Sequence, residues 1–267
     1  MLFKRIKFSE ITLNRISKFF FRKFKKIPSI LTWHFSTFSA DNKLKLSTYE
    51  NIYSGKTCIL VANGPSLKET KLDNTENIVK FGLNRINLAF NEFNFKVDYI
   101  VAVNKHVLNQ FGTEILNQNI PSFFNWECRN LFGSKPNYIF RGLNTNKFSK
   151  DLRRGINPSA TVTYAALQII YYMGFKKVLI VGLDHSFKTK TKFVNKTELR
   201  NEDLDVNHFN KNYFPKGVKW ETPDLFSSEF YYKIADNEFK KDGRIIIDCT
   251  INGKCNIFKK GELRDYI

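Results

Sequence analysis

From Lys56 onward the chain alternates short runs of β-branched and aromatic residues with stretches of helical spacing, and this alternation constrains the fold more than any other feature. Strands separated by helix-length intervals are the pattern of a parallel sheet with helical crossovers. The strand candidates are Thr57–Ala62, Ile78–Leu83, Tyr99–Val103, Ser122–Asn125, Tyr138–Arg141, Lys177–Val181 and Arg244–Cys249. Helical spacing predicts His106–Asn117, Ser159–Met173 and Pro223–Lys241. The second of these is opened by Asn157-Pro158-Ser159 and closed by Gly174, and the third lies between Thr222-Pro223 and Gly243; proline at the first helical position and glycine just past the last are the expected punctuation. The expected fold is α/β, a Rossmann-like, mostly parallel sheet with helices on both faces. Residues 185–222 break the pattern as a long polar segment of little periodicity, and loops of that length are often lids or binding loops. The expected organisation is therefore a basic amphipathic extension over 1–50 and a Rossmann-like domain over 51–267, with 185–222 as its lid-like part.

With 267 residues, 42% of them hydrophobic, the chain is long enough to bury a core of its own. Its four cysteines, Cys58, Cys128, Cys249 and Cys255, follow no metal-ligand or disulfide spacing, which favours a reducing, cytoplasmic setting. The net charge of +18 is unevenly spread: residues 1–30 hold nine Lys/Arg against Glu10 alone. Phenylalanines at 3, 8, 19, 20, 21 and 24 interleave with those charges, and no window there is apolar for long enough to cross a bilayer. Two readings of this arm stand side by side, a solvated chain and a basic helix lying on an anionic membrane surface. Each basic residue near such a surface contributes about 1 kcal/mol. No nucleic-acid motif accompanies the charge, so nucleic acid is not the expected partner.

Ligands of open α/β sheets bind beyond the carboxyl ends of the strands. Asn63-Gly64-Pro65-Ser66 follows the first strand: the glycine lets backbone approach a ligand, the proline fixes entry to a helical turn, and Ser66 with the N–H groups beyond it suits a phosphate. An ordinary turn fits these four residues equally well. Asn84 and Asn104 end the next two strands, and a carboxamide both donates to and accepts from ribose hydroxyls or a pyrimidine edge. Arg153, Arg154 and the helix start at Ser159 combine guanidinium groups with a helix N-terminus, the makings of an anion site, while a capped surface helix with solvated arginines has the same sequence. Gly182 and Asp184 end a later strand, with His185 beside them; an Asp at the end of a buried strand is a candidate catalytic or ligand-holding residue, although a turn cap uses the same residue type. In the polar segment His208 is the candidate general base, an unperturbed imidazole titrating near about 6.5. Asp203-Leu204-Asp205 has the spacing of a divalent-cation site, although a solvated pair of acids accounts for it as well.

Taken together, "VANGPSL", "FGLNR", "INPSATVTYAALQIIYYMGFKKVLIVGLD" and the later loop histidine resemble the bacterial sialyltransferases of glycosyltransferase family 42, over about residues 57–215. The same signature is similar to the flagellin-modifying motility-associated factor proteins and the archaeal hydroxymethylpterin pyrophosphokinases, and the segments "GLDHSF" to "DCTINGKCNIF" to uncharacterised surface-polysaccharide biosynthesis proteins. The resemblance implies an inverting transferase with a CMP-activated acidic sugar, sialic-acid-like or Kdo-like. It needs no obligatory cofactor, Mg²⁺ being admissible, and implies no resident metal site. It implies that Asn63, Gly64, Ser66 and Asn84 hold the nucleotide, that Ser159 and, as a looser match, Arg154 hold phosphate or the sugar carboxylate, and that His208 is the base; Pro65, Asn104 and Gly182 join the nucleotide set by their places at the strand ends. The sialyltransferases carry a tyrosine two residues after the strand-end aspartate where this chain has Ser186, and Tyr213 is the candidate substitute from the loop. The expected partners are a nucleotide-sugar donor, a glycan or lipid-linked acceptor and, through residues 1–30, an anionic inner-membrane face; a homo-oligomer is left open. The alternative is a pterin pyrophosphokinase that would hold ATP and Mg²⁺ with acids such as Asp184, Asp203 and Asp205.

Overall fold

The computed structural model describes residues 24, 26–142, 147–157, 161–188 and 197–267. The chain divides into two compact units, 1–41 and 42–267. In the first, residues 26–35 are helical, and helix α1 (Thr37–Ser47) begins there. In the second unit the Asn42 carboxamide pairs with both the N–H and the C=O of Tyr138, at 2.8 and 2.9 Å, and so ties that part of α1 to the sheet.

The second unit is built on strands β1 (Thr57–Val61), β2 (Val79–Leu83), β3 (Tyr99–Ala102), β4 (Ser122–Asn125), β5 (Asn137–Ile139) and β6 (Lys177–Val181). After a two-stranded antiparallel pair, β7 (Thr197–Leu199) with β8 (Lys219–Glu221), come β9 (Ile245–Asp248) and β10 (Lys259–Lys260). Eight strands form one parallel sheet in the order β10-β9-β6-β1-β2-β3-β4-β5. The α/β Rossmann-like architecture is the one the alternation calls for. The strands at its centre are near-continuous apolar runs because a parallel sheet is covered on both faces, and β1, β2, β3 and β6 are buried almost end to end.

Three longer helices complete the unit: α2 (Lys105–Leu116), α3 (Val162–Tyr172) and α4 (Leu225–Lys241). Helix α3 is apolar around most of its circumference, and its residues from Thr163 to Tyr172 are all buried; a helix of that composition belongs in an interior. It starts at Val162, where the Thr161 hydroxyl caps the Thr163 N–H at 3.2 Å; the Ser159 start lies outside the described residues. Helix α4 starts two residues after Pro223 because the Asp224 carboxylate caps it, accepting from the Ser227 N–H at 2.9 Å. Strand β5 ends before Arg141, which instead bridges to Ile156. Strands β7, β8 and β10, two or three residues long, carry too little periodicity to be read from sequence.

The chain lays down β1 to β5 outward in one direction, then returns to place β6 on the other side of β1. The carboxyl ends of β1 and β6 therefore stand side by side at this reversal, the edge at which α/β sheets open a crevice.

Candidate active site

A cavity of about 190 Å³ occupies that crevice. One wall is the turn after β1. Its Gly64 N–H donates to the Gly182 carbonyl at 2.8 Å, and residues 65–69 form a single helical turn with Pro65 at its start. A Cβ at Gly64 would lie 1.9 Å from Asp184 Oδ2, so only glycine fits the approach of β1 to β6. Gly182 has φ of +71°, and a Cβ there would meet the Ala62 carbonyl oxygen at 2.7 Å.

Asp184 accepts from the Ser66 N–H at 3.1 Å and from the Ser66 hydroxyl at 2.7 Å. The groups the sequence assigns to a phosphate are thus engaged by a carboxylate of the protein, which caps the turn as a helix N-terminus is capped by an anion. Asp184 lines the cavity, whereas Pro65 and Ser66 brace the wall from behind.

The carboxamides of Asn63 and Asn84 line the cavity from the sheet side. Asn63 Nδ2 donates to the Leu83 carbonyl at 2.9 Å, and Asn84 takes a left-handed φ of +48°, tolerated by asparagine at a strand end. The Oδ1 atoms of both are buried and have no hydrogen-bond partner among the described residues. A buried acceptor without a donor costs about 1–3 kcal/mol, so this pair is a natural receiver of N–H or O–H groups from a ligand. Opposite them stand Thr161 and Thr163 at the N-terminal end of α3, and Ser228 and Tyr232 from α4.

The polar segment supplies the remaining wall. His208 Nδ1 lies 2.8 Å from Asp205 Oδ2, and its ring stacks on Tyr213 with centroids 4.1 Å apart and planes 7° off parallel. Its Nε2 has no hydrogen-bond partner among the described residues. Asp205 is buried; its Oδ1 accepts from the Asn207 N–H at 3.0 Å, its Oδ2 from the Phe214 N–H at 3.2 Å, and Arg200 Nη2 stands 3.9 Å away. Burial alone would push this carboxyl up, but the His208 hydrogen bond, the Asn207 N–H and the Arg200 charge together hold it below the usual carboxylate range. Tyr213 is buried with its hydroxyl met by the Arg85 N–H, at 3.3 Å, and by the Asn84 side chain; burial pushes the phenol well up, so it stays protonated at neutral pH.

Residues 205–214 are pinned rather than free. The Phe209 N–H donates to the Asn63 carbonyl at 3.0 Å. The buried Arg85 guanidinium donates to the carbonyls of Asn212 and Tyr213, pairs with Glu114 at 2.9 Å and lies 3.8 Å over the Phe111 ring.

The structure brings Asn63, Gly64, Asn84, Gly182, Asp184, His208 and Tyr213 to one cavity and leaves other expected residues elsewhere. Arg154 is 86% exposed and faces Asp151 at 3.6 Å, away from the cavity, because the turn at 152–154 directs both arginines to that carboxylate. Asn104 caps α2 through the N–H groups of His106 and Val107 and donates to Glu221 at 2.8 Å. It lines a smaller adjoining pocket of about 50 Å³, which shares only Thr161 and Val162 with the main one. Ser159 lies outside the described residues. The Asp203–Asp205 pair diverges: Asp203 is exposed and pairs with Lys216 at 3.0 Å, while Asp205 is committed to His208. Asp184, Asp203 and Asp205 thus do not converge on one cation. Among the described residues no three His, Cys, Asp or Glu side chains are grouped to hold a metal ion. His185, also on the cavity wall, has φ of +54° and is held by Glu229 at 3.1 Å.

Sequence reasoning missed Asp205 as the partner of His208, although an Asp three residues before a His is the spacing at which a turn brings the two together. It also missed Arg85, visible in sequence only as a charged residue beside a strand-end asparagine, and the cavity-facing Thr161, Thr163 and Tyr232.

A family model described as MptE-like, 6-hydroxymethylpterin diphosphokinase MptE-like, matches residues 36–190. The match takes in Asn63, Asn84 and Asp184 and stops before His208. Among solved structures, the MAf glycosyltransferase from Magnetospirillum magneticum AMB-1 is similar in fold, with a TM-score of 0.51 at 14% identity. That likeness covers 85% of this chain and 39% of the other, so the chain spans well under half of its neighbour's length. No curated protein matches the sequence.

Proposed function

We propose that this chain, which belongs to the MptE-like family, is a glycosyltransferase that moves an acidic sugar from a CMP donor to a hydroxyl acceptor with inversion. The observation that carries the reading is the meeting, in one cavity, of an imidazole whose Nε2 is unengaged with two buried carboxamide oxygens that lack donors. The Asn63 and Asn84 oxygens would accept from the nucleotide. The N-terminal end of α3 would face its phosphate, where backbone N–H groups and the helix dipole favour negative charge. His208 Nε2 would take the acceptor proton as the acceptor oxygen bonds to the anomeric carbon and the bond from that carbon to the CMP oxygen breaks. Tyr213, stacked beneath the imidazole and protonated, would serve as its platform. The fold shared with a solved glycosyltransferase is compatible with this chemistry.

The family description favours a second reading, transfer of a diphosphoryl group to a pterin. That reaction calls for carboxylates free to hold Mg²⁺ with ATP. The cavity offers Asp184 as its carboxylate, and both oxygens of Asp184 face Ser66. The geometry therefore supports the base-assisted reading better.

If His208 is the base, His208→Ala will lower transfer from a CMP-sugar donor by about 10²–10⁴-fold and leave CMP affinity nearly unchanged in calorimetry. Retained turnover removes the residue from the mechanism.

The reading extends to location, with the N-terminal unit docking on an anionic membrane surface. Its support is Phe24, Ile27, Leu31 and Phe35, all exposed and at the spacing of one helical face, next to the basic run that precedes them. Among the described residues no helix is long and apolar enough to cross a membrane.

A further inference from the structure

We propose that Asp205 is a positioning residue for His208, holding the imidazole in the tautomer that carries its proton on Nδ1 and leaves Nε2 as the acceptor on the cavity side. The inference rests on the reading of His208 as a base, and it supplies what that reading lacks, a reason for one nitrogen to be free. A neutral imidazole donates through one nitrogen and accepts through the other, and the partner of the first decides the role of the second.

Three features fix the pair. The Asp205 side chain is fully buried and held by two backbone N–H groups, from Asn207 and Phe214, so its oxygens cannot turn away from His208. Arg200, whose side chain is 1% exposed, stands 3.9 Å from the carboxylate and favours its charged state. The imidazole is clamped between Tyr213, stacked at 4.1 Å, and the rings of Phe187 and Phe214, edge-on at 5.8 and 5.3 Å. A ring flip that exchanged the nitrogens would break the Asp205 bond. The ionisable groups around the ring are Asp205 on its own segment, Tyr213 with Arg85 behind it, and Asp184 and His185 across the cavity. Asp205 is the one among them that contacts the ring through a hydrogen bond.

An Asn at this position would place an amide NH₂ where a carboxylate oxygen now accepts. The one amide oxygen stays at the Oδ1 position, where the Asn207 N–H and the Arg200 guanidinium both face it, so the NH₂ takes the place of Oδ2, gives up the Phe214 N–H, donates to His208 Nδ1 and drives the proton to Nε2, the wrong-tautomer outcome known for carboxylate–imidazole pairs.

The test is nitrogen–proton correlation NMR of the full chain at a pH where the imidazoles are neutral, with the His208 signals among the four histidines assigned by their loss in His208→Ala. The wild type is expected to show the proton on Nδ1, and Asp205→Asn to move it to Nε2 while lowering kcat about 10²–10⁴-fold at unchanged KM for the donor. An Nε2-protonated His208 in the wild type, or an unmoved proton in Asp205→Asn, overturns the proposal. The wild-type spectrum decides the matter even where the variant folds poorly. CMP titration of the same sample separates the two levels: an Nδ1 proton with no CMP binding keeps the positioning role and removes the nucleotide reading.

Discussion

Which ring nitrogen of His208 holds the proton determines whether the cavity contains a base at all, and the answer is set by Asp205, a residue that spacing alone pairs with Asp203. The two acids part because Asp205 closes a turn on the Asn207 N–H and points inward, whereas Asp203 stays in solvent with Lys216. Gly64 makes the opposite case, a residue whose importance is legible at once but for an incomplete reason. Its place after an apolar run marks a tight turn, yet the tightness is against Asp184 rather than a ligand. Gly64→Ala must displace the Asp184 carboxylate from a contact of 1.9 Å and is expected to destabilise the fold by about 1–3 kcal/mol, measured as a lower midpoint in urea at unchanged slope. An unchanged midpoint means that the β1 and β6 ends yield at no cost. Asn63 and Asn84 were legible as strand-end carboxamides, and the structure adds that their oxygens are buried without a partner among the described residues. Arg154 was misplaced because nearness in sequence to a helix start does not fix where a side chain on a short turn points.

Among the elements, the polar segment departs furthest from its sequence pattern. Its lack of periodicity hides a core of its own, with Asp205, Asn207, Phe209, Tyr213 and Phe214 buried and Arg85 reaching into it. Such order comes from turns and long-range pairs, which leave no helical or strand repeat to read. The strands and long helices were legible to within a few residues because their apolar runs, caps and glycines act locally. The ionised Asp205 gives the segment a pH dependence. Its carboxyl is held below the usual range in the folded chain, so its stabilisation is complete above the unfolded value of about 3.9 and is lost as pH falls through the lower folded value. The stability gap between wild type and Asp205→Asn should therefore narrow as pH drops below about 4, read from denaturation midpoints on a pH series. A gap constant down to strongly acid pH contradicts an ionised, paired Asp205.

At the scale of the whole molecule, the sheet reversal between β1 and β6 explains why residues far apart in sequence meet; the alternation of elements announced the parallel sheet, whereas the strand order is set by long-range pairing that leaves no local pattern. The charge of +18 suits a polyanionic partner without naming one. With Phe24, Ile27, Leu31 and Phe35 exposed on one helical face, the chain should sediment with vesicles containing anionic phosphatidylglycerol, less with neutral phosphatidylcholine, and less again as salt rises. Replacing Leu31 and Phe35 by serine should weaken that binding, whereas equal binding to neutral vesicles or none to anionic ones would remove the membrane partner. The central claim is that the crevice at the sheet reversal holds a cytidine nucleotide. Thermal-shift titration of the wild type and Asn63→Ala with CMP and with ATP plus Mg²⁺ addresses it most directly, because a ligand of the folded state raises the midpoint by mass action. The account predicts that CMP raises the wild-type midpoint, that Asn63→Ala loses most of the shift, and that ATP with Mg²⁺ gives little. Stabilisation by ATP with Mg²⁺ and none by CMP would contradict it.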